Sequence, residues 1–228
     1  SQPHIFGIMK KHIGIIGLGD MGFSMARNIL KAGYQLTGFD LREERLEMLE
    51  ALGGKRASSP AEVGEVADAV FIMVMTGKQA ESIVSGEDGL LKTMNPGKTI
   101  LLTATIEPHE ARSIGKTVAK KGVHLIDAPV SGGQNGAESG TLALMAAADK
   151  EVWDENLDLM KAVGENIFHV GEEIGIGQTV KASLQALIGC TFTAIFESLV
   201  LGSKAGVSGK VLYEVFSASG VSSPLFKN

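Results

Sequence analysis

Residues 15–22 read Ile15-Ile16-Gly17-Leu18-Gly19-Asp20-Met21-Gly22 and close an apolar run that begins at Ile13. Three glycines at this spacing, between a strand pattern and a helix pattern, are typical of a dinucleotide-binding turn. The first glycine permits a tight turn, the second lets a pyrophosphate approach bare backbone, and the third lets the helix pack on the strand. Backbone N–H groups at the helix start then face the phosphates. The stretch therefore predicts a strand–turn–helix unit that binds a dinucleotide.

An acidic residue follows the next predicted strand. The apolar run from Leu36 to Phe39 ends in Asp40, which lies 18 residues beyond Gly22. A carboxylate at this place accepts hydrogen bonds from the adenosine ribose hydroxyls and repels a 2′-phosphate, although a nearby arginine such as Arg42 can neutralise that phosphate. We therefore expect NAD to be favoured over NADP.

Strand-like and helix-like patterns alternate from residue 12 to about residue 170, which predicts an α/β fold with a doubly wound parallel sheet of the Rossmann type. Predicted helices at 21–32, 42–52 and 108–121 each stop at a glycine suited to a left-handed C-cap, namely Gly33, Gly53 and Gly122. Another helix begins at Ser59-Pro60-Ala61-Glu62, which combines an N-cap, a first-turn proline and a capping glutamate. Further strands are predicted at 69–75, 99–102, 123–127, 141–146 and 166–170.

The pattern changes after Gly171. A mostly apolar helical stretch runs from about Gly177 to Ala205, and a helix that is hydrophobic nearly all round must be covered by other elements. Only a short pattern at 210–216 and a serine-rich tail follow it. We expect a dinucleotide-binding Rossmann domain over 9–171, starting at Met9, and the beginning of an all-helical second domain over 172–228, which the chain leaves incomplete.

Composition excludes several classes of partner. A net charge of −5 provides no basic surface for nucleic acid or for anionic membranes. The most apolar segment, 186–196, is too short to span a bilayer, which needs about 20 residues. Cys190 is the only cysteine and suits a reducing cytoplasm, where we expect the protein. The five histidines are far apart and lack metal-ligand spacing, so we expect no metal.

Three motifs together indicate a family. Residues 15–28 fit a signature of two apolar residues followed by G-L-G-x-M-G-x-x-M-[SA]-x-N at every position. The second motif, D-A-P-V-S-G-G, covers 127–133, and the third, G-I-G-Q-T-V-K, covers 175–181. From Met9 onward the chain thus resembles the β-hydroxyacid dehydrogenases typified by 3-hydroxyisobutyrate dehydrogenase. The resemblance implies a nicotinamide-dependent oxidoreductase of small 3-hydroxy acids that assembles as a homodimer or homotetramer. It also makes residues 172–228 the start of a substrate and dimerisation domain.

The second and third motifs resemble the family's substrate loop and the entry to its interdomain helix. A serine hydroxyl and glycine N–H groups at a strand end form a donor cluster for a carboxylate, which the resemblance assigns to Ser131, Gly132 and Gly133. It also makes Lys181 the catalytic lysine. The positive end of the helix and desolvation should lower the pKa of Lys181, which would let it exchange a proton with a substrate hydroxyl.

Weaker matches complete the predicted site. Residues 102–108 resemble a family segment D-x-S-T-I-x-P, in which Thr105 falls on a cofactor-contacting threonine, and Met75 precedes Thr76-Gly77 where Leu-Pro is common. The predicted cofactor contacts are Gly17, Leu18, Gly19, Asp20, Met21, Gly22, Asp40, Met75 and Thr105.

The chain departs from the family pattern behind the catalytic lysine. The family's substrate-binding asparagine is Leu184 here, and Gln185, which shares a helix face with Lys181 at i+4, is the candidate replacement. Two alternatives remain open: a reductase of glyoxylate-like or semialdehyde substrates, and a non-catalytic dinucleotide-binding sensor or scaffold. The lysine argues against the second, because a protein that only binds has no need of it.

Overall fold

A computed structural model describes residues 10–227, and the domain start expected at Met9 lies outside them. Strands and helices alternate through the first three quarters of the chain, and only helices follow. The elements are β1 His12–Ile16, α1 Asp20–Lys31, β2 Gln35–Phe39, α2 Glu43–Ala51, β3 Lys55–Arg56, α3 Pro60–Val66, β4 Ala69–Ile72, α4 Gly77–Ser85, a 3-10 turn Leu90–Lys92, β5 Thr99–Leu102, α5 Pro108–Ala119, β6 His124–Asp127, β7 Val130–Ser131, α6 Gly133–Ser139, β8 Leu142–Ala147, α7 Lys150–Lys161, β9 Gly164–Gly171, α8 Ile176–Lys204, α9 Gly209–Ala218 and α10 Pro224–Lys227.

The strands form one sheet in the order β3-β2-β1-β4-β5-β6-β8-β7, with β9 beside β8. All pairs among β1 to β6 are parallel, so the carboxyl ends of these strands share one edge. The strand order reverses between β1 and β4, and ligands of open α/β sheets bind outside the strand ends at such a switch point. The predicted doubly wound sheet is confirmed for this part of the chain.

The far side of the sheet is not parallel. Strand β8 runs antiparallel to β6 and β7, and β9 runs parallel to β8. Asp127 at the end of β6 pairs with Ala147, which in turn pairs with Gly171 at the end of β9. The chain therefore leaves the sheet beside the carboxyl end of β6, and α8 begins there.

Both faces of the sheet are covered. Ile13, Ile15 and Phe71 belong to one buried cluster, whereas Val70 and Ile72, which alternate with Phe71 along β4, belong to another. This alternation means that the strands bury side chains on both faces, as the aliphatic runs predict.

Most predicted element ends lie within about two residues of the ends in the structure. Gly33, Gly53 and Gly122 have φ values of 90°, 94° and 69°, which are the left-handed caps expected. Strand β4 is shorter than predicted and ends at Ile72 instead of residue 75. The predicted capping box of α3 is half wrong, because its glutamate accepts a hydrogen bond from Ser58 N–H at 2.7 Å and not from the N-cap residue.

The chain divides into two compact units, with the boundary inside α8 between Lys181 and Ala182. This boundary lies ten residues beyond Gly171, because the first turn of α8 is bonded to the α/β unit. In the second unit α9 packs on α8, since a Cβ at Gly202 would lie 2.6 Å from the side chain of Leu212.

The apolar surface of helix α8 extends beyond residues 186–196, the most apolar segment of the sequence. Among the described helices it is the one whose length and composition would allow it to cross a membrane, a test that core helices of soluble proteins also pass. Within the described residues no other element covers Leu187 or Leu201, which are 65% and 74% exposed. The residues that follow α8 within 10–227 therefore leave much of its apolar surface uncovered, as the sequence pattern indicates.

Candidate active site

The turn after β1 requires glycine at two positions. At Gly17 φ is 94°, and an added Cβ would lie 2.0 Å from the carbonyl oxygen of Met73. At Gly22 a Cβ would lie 1.9 Å from the carbonyl oxygen of Gly17. Gly19 differs, because its Cβ would meet nothing closer than a guanidinium nitrogen of Arg42 at 3.8 Å. The backbone at Gly19 therefore faces open space, as close approach by a pyrophosphate requires.

Helix α1 also differs from its neighbours at its start. Gly19 is its N-cap and supplies no side-chain cap. By contrast, Thr76 and Gln79 form a capping box on α4, and Glu107 and Glu110 form one on α5. Of the described helices that follow β1, β4 and β5, α1 is thus the one whose N-terminal N–H groups no side chain caps. Uncapped N–H groups at a helix start are suited to binding anions. The glycine turn fits a dinucleotide pyrophosphate.

The carboxylate of Asp40 is held from two sides. Its Oδ2 accepts a hydrogen bond from Leu18 N–H at 2.7 Å, and its Oδ1 accepts from the N–H and Nε of Arg42 at 2.9 and 3.0 Å. Burial disfavours the charged form, but the hydrogen bonds from Arg42 and Leu18 outweigh it and lower the pKa of Asp40. From the sequence, Arg42 is a residue that could neutralise the 2′-phosphate of NADP. In the structure it forms an ion pair with Asp40.

Helix α8 is tied to the sheet by Asp127. Its Oδ2 accepts hydrogen bonds from Gly175 N–H at 2.9 Å and from Gln178 N–H at 3.3 Å, so the carboxylate caps the helix. A Cβ at Gly177 would lie 2.6 Å from the carbonyl oxygens of Asp127 and Met145, so the helix approaches the strand ends closely. Burial raises the pKa of Asp127, and the hydrogen bonds oppose this shift.

The side chain of Gln178 is 1% exposed and makes three further hydrogen bonds. Its Nε2 donates to Asp127 Oδ1 at 2.9 Å and to the carbonyl of Ala104 at 3.0 Å, and its Oε1 accepts from Ile106 N–H at 3.0 Å. Sequence reasoning missed Asp127 and Gln178. Both stand inside quoted motifs, and a polar residue within a motif is the signal that could have singled them out.

Lys181 lies one helical turn beyond Gln178 and is half-buried. Burial lowers its pKa, in the predicted direction. No ion pair to Lys181 occurs within residues 10–227. Leu184 and Gln185 continue the same helix in the second compact unit, where Leu184 is half-buried and Gln185 is exposed.

The predicted substrate loop is more structured than a turn. Ser131 ends β7, Gly132 has φ 129°, and Gly133 opens α6 with φ 60°. The Nε2 of Gln134 donates to Ser24 Oγ on α1 at 3.2 Å. The loop is therefore attached to the helix that begins with the glycine turn.

A second bond joins the same two helices. Nδ2 of Asn28, the last residue of the signature, donates to the carbonyl of Ala137 at 2.7 Å. Gly140, with φ 71°, ends α6 beside Asn28. The signature and the second motif thus match positions that contact each other.

The remaining predicted residues lie in loops at the carboxyl edge of the sheet. Met75, which is 84% exposed, follows β4, and Thr105, also exposed, follows β5. This edge also carries the glycine turn and Asp40, and α8 begins beside it. Gln185 is the exception, because it belongs to the second unit. Among the described residues no cluster of His, Cys, Asp or Glu could hold a metal ion.

Two family models cover most of the chain. Residues 12–171 match the NAD-binding domain of 6-phosphogluconate dehydrogenase, and residues 175–228 match the NAD-binding domain of NADP-dependent 3-hydroxyisobutyrate dehydrogenase.

Curated relatives carry dehydrogenase names. An L-threonate dehydrogenase of Cupriavidus necator is 36% identical, over 96% of this chain and 74% of its own length. In Pseudomonas aeruginosa, an NAD-dependent L-serine dehydrogenase is 39% identical over 92% of this chain and 70% of its own length, and a 3-hydroxyisobutyrate dehydrogenase is 38% identical over 91% and 69%. For a Dictyostelium discoideum relative the chain spans 65% of the length.

Solved structures agree with these relatives. A 3-hydroxyisobutyrate dehydrogenase from Salmonella typhimurium superposes with a TM-score of 0.83 at 32% identity, over 96% of this chain and 76% of that one. The enzyme of that name from Mycobacterium tuberculosis, whose structure includes L-serine, gives 0.86 at 29% identity, over 95% and 73%. The chain belongs to the β-hydroxyacid dehydrogenase family, the dehydrogenases that act on hydroxy acids with a nicotinamide dinucleotide.

Proposed function

We propose that the protein transfers a hydride between NAD and a small 3-hydroxy acid resembling 3-hydroxyisobutyrate, with Lys181 as the general acid and base. The bound dinucleotide supplies the hydride acceptor in oxidation and the hydride donor in reduction. In oxidation the neutral amine of Lys181 takes the proton of the substrate hydroxyl, and the product is the aldehyde or keto acid. In reduction the ammonium form of Lys181 returns that proton.

The observation that carries this proposal is the buried bonding of α8 to the sheet. Asp127 and Gln178 hold the first turn of the helix against the end of β6 and the loop after β5. Lys181 follows one turn later in the same helix. Its desolvation favours the neutral amine, and a base whose pKa approaches the working pH is the more effective proton acceptor.

The substrate class is argued from shared chemistry. Relatives are named for 3-hydroxyisobutyrate, L-serine and 2-(hydroxymethyl)glutarate, which all carry a hydroxymethyl group on the carbon next to a carboxylate. The hydroxyl of Ser131 and the N–H groups of Gly132 and Gly133 are the donors that we assign to that carboxylate. Binding there would orient the hydroxyl-bearing carbon, and positioning of this kind contributes several kcal/mol to lowering a barrier. Gln185 is the further substrate contact that we propose.

The proposed assembly is a homodimer or homotetramer in the cytoplasm. The argument for association is the apolar surface of α8, because contiguous exposed apolar surface marks an interaction site. A second copy of the chain is the occupant that the family resemblance implies.

The test is a panel of hydroxy acids assayed by NADH formation. We expect turnover of 3-hydroxyisobutyrate, L-serine or L-threonate, and a fall of about a hundredfold or more in Lys181→Met. The Kd for NAD, measured by calorimetry, should change little. Lys150→Met on α7, which loses a surface ion pair with Asp154, is the control and should keep wild-type turnover.

Each other outcome points to an alternative. Reduction of glyoxylate or semialdehydes without oxidation of any 3-hydroxy acid would favour the reductase. NAD binding without turnover of any substrate would favour the non-catalytic sensor. Turnover by Lys181→Met close to that of the wild type would remove this lysine from the mechanism.

A further inference from the structure

We propose that Gln178 is a positioning residue that sets Lys181 relative to the segment carrying Thr105. The inference rests on the proposed function, because it assumes that Lys181 exchanges the proton and that Thr105 lies on the cofactor side. Gln178 itself touches neither substrate nor cofactor in this scheme. It acts through the backbone that it holds.

The first support is the way that the amide of Gln178 brackets Thr105. Its Nε2 donates to the carbonyl of Ala104 at 3.0 Å, and its Oε1 accepts from Ile106 N–H at 3.0 Å. These two backbone groups stand immediately before and after Thr105. After β5 ends, a single side-chain amide thus makes the two hydrogen bonds that a neighbouring strand would make with this backbone. These bonds hold the backbone on both sides of Thr105.

The second support is the bond on the other side of the amide. The same Nε2 donates to Oδ1 of Asp127 at 2.9 Å, while the N–H of Gln178 donates to Oδ2 at 3.3 Å. Asp127 is fully buried at the end of β6. The end of β6, the loop after β5 and the start of α8 are therefore joined at one side chain, which is 1% exposed. In such surroundings a satisfied hydrogen-bond network specifies a single arrangement.

The third support is the lack of free space beneath the helix. At Gly177 an added Cβ would lie 2.6 Å from two carbonyl oxygens, so the first turn of α8 already touches the sheet. Contact of this kind limits movement towards the sheet but leaves rotation about the contact open. The bonds of Gln178 oppose that rotation. Lys181 lies at i+3 on the same face, so a rotation of the turn would move its amine directly.

Catalysis is sensitive to such movement. A displacement of about 1 Å at the reacting groups can lower the rate about a hundredfold. Loss of the Gln178 bonds should therefore lower kcat much more than the affinity for NAD, because Thr105 is the one proposed cofactor contact in this network and the glycine turn on α1 is not part of it.

The experiment compares Gln178→Leu and Gln178→Met with Asn156→Leu. Asn156 is the matched control, a fully buried amide on α7 that donates to the Val152 carbonyl at 2.8 Å. We expect kcat to fall about 10- to 100-fold in both Gln178 variants, with the KM and the Kd for NAD within about threefold of wild type. The control should keep the wild-type kcat.

Hydrogen–deuterium exchange provides a readout that does not depend on activity. In the Gln178 variants the N–H of Ile106 loses its acceptor, so the peptide that contains residues 104–107 should exchange faster, while the glycine turn at 17–22 should not. In Asn156→Leu both peptides should exchange as in the wild type. Unchanged exchange at 104–107 in a folded Gln178 variant would overturn the inference.

Three further outcomes, two kinetic and one from unfolding, would also overturn it. These are a kcat within about threefold of wild type in Gln178→Leu, an equal fall in Asn156→Leu, and loss of cooperative unfolding in both Gln178 variants, which would make the residue purely structural. Failure of the proposed function would be recognised differently, because Lys181→Met would then convert substrate at the wild-type rate. An inactive Lys181→Met together with fully active Gln178 variants would refute this inference alone.

Discussion

Nε2 of Gln178 and Oδ1 of Asp127 are 2.9 Å apart, and both side chains are buried. The two residues are 51 positions apart in the sequence and belong to motifs that follow different strands. Their hydrogen bond connects the end of β6 to the first turn of α8. Because Lys181 lies on the next turn, the bond is part of the structure that supports the proposed base.

Asp127→Ala should destabilise the α/β unit. The substitution leaves the N–H groups of Gly175 and Gln178 without their acceptor in a buried place, and each such group costs about 1 to 3 kcal/mol. We expect the free energy of unfolding in urea to fall by roughly 2 to 4 kcal/mol. Asp154→Ala, at an exposed position on α7, is the control. A loss below about 0.5 kcal/mol, the usual range for a surface substitution, would contradict the capping role.

The rate of oxidation should depend on pH through Lys181. Burial places its pKa below the ordinary value of 10.5, so the neutral amine forms at lower pH than in a free lysine. Oxidation requires the neutral amine, and kcat/KM should therefore rise with pH to a midpoint below 10.5. Reduction requires the ammonium form and should slow over the same range. In Lys181→Met the residual kcat/KM should not show this rise with pH. A rise that persists in the variant would mean that another group titrates.

The wild type should prefer NAD over NADP by about tenfold or more in kcat/KM. The carboxylate of Asp40 repels a 2′-phosphate, and its pairing keeps Arg42 from meeting that phosphate freely. Asp40→Ala removes the repulsion and releases Arg42, so it should improve the use of NADP. The double variant with Arg42→Ala should lose that gain. A clear preference of the wild type for NADP would contradict the prediction.

Leu184 and Gln185 should determine the substrate range. The family asparagine offers two hydrogen-bond donors and an acceptor, whereas Leu184 offers none. A buried polar group of the substrate left without a partner costs about 1 to 3 kcal/mol. If Gln185 compensates, Gln185→Ala should raise KM or lower kcat strongly while Leu184→Asn changes little. If the natural substrate differs, Leu184→Asn should improve turnover of 3-hydroxyisobutyrate-like acids. Kinetics unchanged by both variants would exclude this helix face from the site.

The chain should associate in solution through α8. Its apolar side chains include Phe196, which is 60% exposed, and Leu201, which is 74% exposed. Light scattering should therefore report a dimer or a larger assembly, and Leu201→Glu should shift the distribution towards smaller species. Met48→Glu, at a partly exposed position on α2, is the control. A monomer at all concentrations, with full activity, would contradict the expectation.

The parts of the fold that were predictable have local causes. A positive φ at Gly33 or Gly122 depends on the residue type at that position, and the aliphatic runs of the parallel strands reflect burial on both faces. Two glycines of the turn are of the same kind, since the φ of 94° at Gly17 depends on residue type and a Cβ at Gly22 would lie 1.9 Å from the carbonyl oxygen of Gly17 in the same strand–turn–helix unit. Strand β7 and helix α6, of two and seven residues, are too short to leave a periodic pattern.

The sequence by itself determined the dinucleotide turn, the acidic residue after β2, the parallel sheet and the family, because these depend on residue type and short spacing. Only the tertiary structure decided that Arg42 pairs with Asp40, that β8 and β9 return the chain to the end of β6, and that Gln178 joins Asp127 to the residues on both sides of Thr105. These pairings form between segments distant along the chain, where several polar partners are chemically equivalent. Packing of the strands and helices selects one of them, and no local preference of the residues can.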